Sequence, residues 1–339
     1  MKKILVTGGL GFIGSHTIVE LIQSNYQVVA YDNLSNSSVE ILDRVQKITG
    51  KCVEFVEGDI LDVKLLDKVF RLHSFDAVLH FAGLKSVSGS IQSPIAYYKN
   101  NVEGSISLID CMNKNGVKTF IFSSSATVYG DKSNSPIRED MPTSAPLNPY
   151  GASKLMVENI LKDICYADKN WSVARLRYFN PVGAHPSMEL GEHPSGVPEN
   201  LMPLIVQVSA GNLKRLKVFG GDYPTIDGTG IRDYIHVVDL AKGHLSALQK
   251  CEKETGLFTV NLGTGIGYSV LQMIHTFESV NGVIVPYDIV ERRGGDVAAC
   301  FADINLAKTL LGWEAEIGLE DMCRDSWNWQ NKFFKQGNK

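Results

Sequence analysis

Thr7-Gly8-Gly9-Leu10-Gly11-Phe12-Ile13-Gly14 places three glycines at intervals of three near the start of the chain. It follows an apolar, β-branched run, Lys3 to Thr7, and opens directly into a helical pattern running from Gly14 to Gln23. Glycines at 8, 11 and 14 permit a tight turn, close approach of a pyrophosphate and close packing of helix on strand. The helix start adds free N–H groups and the positive end of a dipole. Gly8, Gly11, Phe12, Ile13 and Gly14 are therefore expected to form the phosphate turn of a dinucleotide site. A lone glycine triplet is weak, but this one sits between strand and helix.

Outward from it, short buried-strand patterns recur at Gln27–Tyr31, Val53–Glu57, Ala77–Phe81, Thr119–Ser123 and Val173–Tyr178, with amphipathic stretches such as Leu65–Leu72 between most of them. Alternating strands and helices predict an α/β fold: a doubly wound, Rossmann-type parallel sheet covered on both faces. The second strand ends at Asp32, where a carboxylate can accept from the adenosine ribose hydroxyls and would repel a 2′-phosphate. That favours NAD over NADP; the competing reading is that Asp32-Asn33 caps a turn. Asp59 and Ile60 follow the third strand, with Asp59 placed to reach the adenine or to serve as a plain turn residue. Phe81, Ala82 and Gly83 close the fourth strand with backbone that can line the cofactor, and Tyr178 ends the sixth strand on the same side.

Beyond Asn180 the texture changes. Residues 181–235 are rich in Pro and Gly (PVGAHP, HPSGVP, GGDYPTIDGTG), which suits a loop-built substrate cap. His236–Leu248 reads as helix and Phe258–Leu262 as strand, so the chain is expected to return to the sheet. The expected division is a dinucleotide-binding domain over 1–180, rejoined around 236–262, and a smaller C-terminal α/β substrate-binding lobe over 181–339.

The 339 residues are 44% hydrophobic and 21% charged, as in ordinary globular proteins, and the net charge of −4 leaves no excess of Lys and Arg for nucleic acid. Six scattered cysteines without CxxC fit a reducing compartment, no apolar run approaches a signal-peptide core or membrane span, and the eight histidines form no HExxH. The expectation is a cytoplasmic, metal-free protein with no membrane or nucleic-acid partner.

The candidate catalytic group is Ser125, Tyr150 and Lys154. Tyr150-Gly151-Ala152-Ser153-Lys154 starts a helical pattern, so the phenol and ammonium share a face. A phenol of pKa about 10 is a poor base at neutral pH. A neighbouring Lys cation and an oxidised nicotinamide would both lower that value. Ser125, just past the fifth strand, can hydrogen-bond a sugar hydroxyl as it becomes a carbonyl. Each residue has a bland alternative (exposed helix face, turn cap); the three together behind an NAD-type turn outweigh it.

These residues lie in TGGLGFIGSH, HFAGLKSV, FIFSSSATVYG and NPYGASK, and the chain continues with LRYFNPVGAHP, NLMPLI, DGTGIRDYIHVVDLA and NLGTG. Nearly end to end, it resembles the UDP-galactose 4-epimerase family of the extended short-chain dehydrogenase/reductase superfamily. The resemblance implies an isomerase that keeps NAD through turnover. It also implies a homodimer built on two long helices, roughly residues 94–115 and 150–168. In the family mechanism Tyr150 takes the proton from the sugar 4-hydroxyl while hydride passes from C4 to NAD. The 4-keto sugar rotates and hydride returns to its other face, with Lys154 on the cofactor ribose and Ser125 on the substrate oxygen.

The resemblance further assigns Lys85 and Asn100 to the cofactor and sugar side of the cleft, Arg232 and Arg293 to the diphosphate, Asn180, Asn200 and Leu201 to the diphosphate or uridine, and Asp296 to a ribose. Guanidinium forks suit phosphate oxygens, although Arg292-Arg293 alone would read as a solvated basic pair. Phe219 lines the uracil pocket or packs in the core. Cys300 stands where relatives restricted to glucose and galactose often carry tyrosine. A small residue there leaves room for a 2-N-acetyl group, predicting UDP-GlcNAc and UDP-GalNAc as substrates alongside UDP-glucose and UDP-galactose. The alternative is a buried structural thiol. Rival functions are a dehydratase or decarboxylase, which needs a carboxylate where this chain has Ala126-Thr127, a net dehydrogenase, and a non-catalytic NAD-binding regulator.

Overall fold

The computed structural model describes residues 1–130, 135–143, 146–193, 198–294 and 296–337; Pro194–Val197 of the HPSGVP loop fall outside them. The strands β1 (Lys3–Thr7), β2 (Gln27–Asp32), β3 (Glu54–Glu57), β4 (Ala77–His80), β5 (Thr119–Ser125) and β6 (Ser172–Tyr178) lie in one parallel sheet. The chain then leaves it through β7 (Asn180–Val182), β8 (Leu216–Phe219) and β9 (Ile231–His236), and returns with β10 (Gly256–Leu262), which pairs in parallel with β6. The spatial order is β10-β6-β5-β4-β1-β2-β3. Strand order reverses between β1 and β4, the switch point where open α/β sheets bind ligands at their carboxyl ends.

α1 (Phe12–Gln23), α2 (Glu40–Thr49) and α3 (Val63–Leu72) link β1 to β4. The next connection contains α4 (Val87–Gln92), α5 (Pro94–Tyr97), a π-helical turn Tyr98–Glu103 and α6 (Gly104–Lys114), so the long helix expected over 94–115 is interrupted. The π turn carries Asn100 and Asn101, and such turns recur at functional sites. α7 (Pro149–Ala167) joins β5 to β6. Its start is fixed by Pro149 in the first turn and by the Asn148 side chain, which accepts from the Gly151 N–H at 2.9 Å.

Both sheet faces are buried, as alternation along β1 makes plain. Ile4 and Val6 join one apolar cluster with Ile18, Leu21 and Leu240, while Leu5 joins the opposite one with Leu66, Leu108 and Leu161. The second lobe has its own core. α8 (Leu201–Ser209), β8 and β9 pack with α10 (Val270–Asn281) and α12 (Leu319–Gly337) around Ile205, Val218 and Phe277. Here β9 pairs with β7, with β11 (Gly267–Ser269) and with β13 (Ala299–Cys300), and β8 pairs with β12 (Tyr287–Val290). The helices α9 (Val237–Cys251) and α11 (Asn305–Leu311) lie against the first lobe and each other.

Candidate active site

The glycine turn closes the end of β1 against the end of β4. Gly8 is left-handed (φ 66°), and a Cβ there would stand 2.6 Å from the Ala82 nitrogen. At Gly14 a Cβ would come within 2.2 Å of the Gly8 carbonyl oxygen, so helix and turn can meet only through glycine. Gly11 caps α1 with no side-chain acceptor, and Phe12, Ile13 and Gly14 form its first turn. Phe81 and Ala82 both donate their N–H to the Thr7 carbonyl, at 2.9 and 3.1 Å, tying the two strand ends together.

Asp32 is buried at the end of β2. One oxygen accepts from the Leu10 N–H (3.0 Å), inside the glycine turn; the other accepts from the Leu34 N–H (2.9 Å) and the Ser37 hydroxyl (2.8 Å). Asp32 thus caps its own turn and also braces the phosphate turn. Asn33 donates to Asp59 at 2.8 Å, holding the ends of β2 and β3 together. Ile60 is only 2% exposed and packs on Gly104, so that side chain belongs to the core.

Ser125, Tyr150 and Lys154 meet where β5 ends beside α7. Lys154 is buried, and its ammonium donates to the Ser123 carbonyl at 2.8 Å, near Gly83, where a Cβ would sit 3.7 Å from Nζ. Burial lowers its pKa to about 8. Tyr150 is governed first by burial, which raises its pKa, and next by the Ser125 hydroxyl, which lowers it. Lys154, expected from the sequence to be a main depressant, is not a leading influence on the phenol; the amine points to the Ser123 carbonyl instead. Ser125 also accepts from the Thr127 N–H (3.2 Å) and hydroxyl (3.0 Å). Tyr178 pairs with Ser125 across the strands, and its hydroxyl shares a hydrogen with Ser123.

Asn100 carries a buried side-chain carbonyl oxygen without a partner, whereas its neighbour Asn101 clamps the β4 loop through Leu84 N–H (2.8 Å) and Leu84 carbonyl (3.0 Å). Lys85 forms an ion pair with Glu192 of the second lobe at 3.0 Å. Ser86 and Ser88 both donate to Glu199 of the same lobe.

In the second lobe one carboxylate gathers two of the predicted cations. Asp296 lies 3.5 Å from Arg232 and 3.4 Å from Arg293. Arg293 also covers the Phe219 ring at 4.9 Å, while Arg292 turns away to Asp222 (2.7 Å) and the Tyr223 ring. The adjacent arginines therefore do different work. Asn200 caps α8 with no side-chain hydrogen bond, leaving Asn200 exposed and Leu201 in the first turn; Asn180, at the start of β7, is exposed too. Cys300 pairs with Arg232 in register and packs on the cluster of Val128, Tyr129 and Phe179. Burial, offset by Arg232 and reinforced by Asp233, pushes its thiol up to about 11.

Sequence reasoning missed Asn101, Glu158, Arg177 and Asp233. The signal was charge in a buried setting: an arginine inside a strand and a glutamate four residues beyond Lys154 on the packed face of a helix. Asp233 is fully buried and accepts from Thr264, Gly265 and Ala302, tying the loop after β10 and the segment after β13 to β9 beside Arg232.

A dinucleotide turn at the switch point, facing a strand-end serine and a Tyr/Lys pair, defines the short-chain dehydrogenase/reductase class. Residues 4–263 match the NAD dependent epimerase/dehydratase family. A UDP-glucose 4-epimerase of Bacillus subtilis strain 168 is 59% identical over 328 residues, covering 97% of this chain and 96% of that one. The structure resembles that of a UDP-glucose 4-epimerase from Stenotrophomonas maltophila with bound NAD and formylated UDP-arabinopyranose (TM-score 0.97, 49% identity, 99% and 100% of the two chains). It also resembles one from Bifidobacterium longum in complex with NAD+ and UDP (TM-score 0.95, 51% identity, 98% of each chain). The chain belongs to the NAD dependent epimerase/dehydratase family and, within it, to the UDP-glucose 4-epimerases.

Proposed function

We propose that this enzyme interconverts UDP-glucose and UDP-galactose by epimerisation at C4 with NAD as cofactor, and that it accepts UDP-GlcNAc and UDP-GalNAc as well. The observation that carries the reaction is the convergence of Ser125, Tyr150 and Lys154 at the β5 end, beside the glycine turn. The crevice suits NAD: glycine at 8 and 14 lets the turn close tightly on β4 and α1, α1 begins without a side-chain cap, and Asn100 offers an unpartnered carbonyl oxygen. Gly8, Gly11, Phe12, Ile13 and Gly14 hold its pyrophosphate, Asp32 and Asn33 its adenosine ribose, and Asp59 and the Ile60 backbone its adenine. Phe81, Ala82, Gly83, Lys85, Asn100, Lys154 and Tyr178 border the remainder. Bound NAD supplies the acceptor and donor of the C4 hydride.

Tyr150 removes the proton of the 4-hydroxyl and later returns it. Ser125 donates to the oxygen as it becomes a carbonyl, which is the moment its hydrogen bond strengthens. Lys154, locked to Ser123, keeps a cation beside the reacting centre. Arg232 and Arg293 take the diphosphate, Asp296 the uridine ribose, and Asn180, Asn200, Leu201 and Phe219 the remaining UDP contacts. With these roles, residues 1–180 with the return over 236–262 form the NAD domain, and 181–339 the UDP-sugar lobe. Elimination chemistry is disfavoured, because the position beside Ser125 holds Ala126 and a Thr127 hydroxyl already given to Ser125.

N-acetyl acceptance rests on the small size of the Cys300 side chain, which stands on β13 beside Arg232. A homodimer is supported by exposed apolar side chains on the helices around residues 87–167, Ile91 (63% exposed) and Ile95 (81%). The cytoplasm suits six free cysteines, and among the described residues no helix is long and apolar enough to cross a membrane. The test offers purified protein UDP-glucose and UDP-GlcNAc separately, without reductant. Equilibration of each with its 4-epimer is expected. Net oxidised product with free NADH would point to a dehydrogenase, and no turnover to a regulator.

A further inference from the structure

Along α7, Tyr150, Lys154 and Glu158 are spaced i, i+4, i+8 and share one face. That face meets three consecutive serines. Tyr150 interacts with Ser125, Lys154 donates to the Ser123 carbonyl at 2.8 Å, and Ser124 donates its hydroxyl to Glu158 Oε1 at 2.5 Å. Glu158 is 1% exposed and also receives both arms of Arg177, Nε at 2.9 Å and Nη2 at 2.5 Å. Ser124 and Arg177 are cross-strand partners in β5 and β6, so one carboxylate grips the same rung of the sheet from two strands. A second arginine, Arg175, donates to the Glu158 carbonyl at 3.1 Å.

We infer that Glu158 is a positioning residue for the reaction: by binding Ser124 and Arg177 it fixes the register of α7 on β5 and β6, and so sets the Tyr150 phenol opposite Ser125. The proposal rests on reading Ser125, Tyr150 and Lys154 as catalytic. An apolar residue at 158 would let a helix rest at several offsets on a smooth sheet face. A bidentate carboxylate–guanidinium pair out of water has one geometry, and sliding would strand two buried charges. Glu158 does not itself reach substrate: it lies two turns, about 12 Å, along the helix from Tyr150, and both its oxygens are occupied. The same rung holds the neighbouring groups, since Ser125 and Tyr178 flank Ser124 and Arg177, and Tyr178 in turn binds Ser123.

The test compares NAD-loaded Glu158→Gln and the double variant Glu158→Met/Arg177→Met with the parent and with Tyr150→Phe. The double variant removes both members of the bidentate pair together, and Arg175, 3.8 Å from the same carboxylate, keeps its bonds to Thr259 and to the main-chain carbonyl of residue 158. Both variants are expected to keep NAD and to hold KM for UDP-glucose within about twofold, while kcat falls about tenfold or more, since misplacing a reacting group by an ångström costs up to a hundredfold. The acid limb of the kcat–pH profile should move to higher pH, because a phenol displaced from Ser125 loses the partner that lowers its pKa. A native kcat and pH profile in the folded double variant, with Tyr150→Phe inactive, overturns the positioning role alone. A kcat loss that merely tracks loss of NAD or of folded protein also overturns it. Full activity in Tyr150→Phe overturns the catalytic reading and this proposal with it.

Discussion

The ammonium of Lys154 is fastened to the main-chain carbonyl of Ser123, two residues before the strand-end Ser125. A cation on a flexible four-carbon stem is thereby held as part of the sheet edge. Burial lowers its pKa from 10.5 to about 8, so the folded protein binds this proton less tightly than the unfolded chain. The sign follows: the destabilisation is complete below pH 8 and is relieved as pH rises towards 10.5. For catalysis the consequence runs the other way, since the cation disappears above pH 8. In a pH–rate series kcat should decline on the alkaline side with an apparent pKa near 8, and Lys154→Arg, slower throughout, should lose that decline. A flat profile to pH 10 in the parent would remove Lys154 as the titrating group.

Cys300 is the position at which substrate range should respond to a single side chain. Cys300→Tyr should abolish turnover of UDP-GlcNAc and UDP-GalNAc while leaving UDP-glucose turnover within a fewfold of the parent. Kinetics with both sugar pairs decide it; equal losses on the two would mean that the thiol serves packing with Val128, Tyr129 and Phe179.

Acid should unfold this protein through histidines held neutral. Burial lowers His16 and His80 to about 3 and His244 to about 4. The unfolded chain takes up these protons near pH 6.5, so stability is full above that value and falls as pH drops through 6 towards 4. Each histidine contributes a slope of about 1.4 kcal/mol per pH unit in that window. His244 packs between Phe81 and Tyr178, at 4.8 and 5.6 Å between ring centres. Urea midpoints at pH 7.5 and 5 should therefore differ less in His244→Phe than in the parent.

Ile95, 81% exposed at the start of the helical segment before β5, tests assembly. Ile95→Arg should shift the particle from dimer to monomer in analytical ultracentrifugation, with the folding midpoint little changed. A parent that sediments as a monomer would dispose of the dimer.

The glycine turn, the strand ends and the Tyr/Lys pair were legible because each rests on local rules. A Cβ at Gly14 would strike Gly8 wherever the chain is placed, and residues 150 and 154 share a face in any helix. The interruption over Tyr98–Glu103 was not legible, since a π turn leaves no periodicity of its own in six residues. Nor was the division of labour between Arg292 and Arg293: Asp296 is a near neighbour of Arg293, but Arg292 finds Asp222, seventy residues away, only through folding.

The alternation that makes a doubly wound sheet, the phosphate turn and the residue types at the strand ends all follow from sterics and spacing within a few residues. It takes the folded chain to show that Asp296 draws Arg232 and Arg293 together, that Lys85 reaches Glu192, and that Glu158 closes on Ser124 and Arg177. Apart from Arg293 and Asp296, which are near neighbours in sequence, those pairs join different elements of the fold. For Glu158 and Arg177 the partner is chosen by desolvation, because a charge carried into the interior by its helix or strand must find an opposite charge there, whereas Lys85 and Arg293 stay half exposed and meet their carboxylates through the path of the chain.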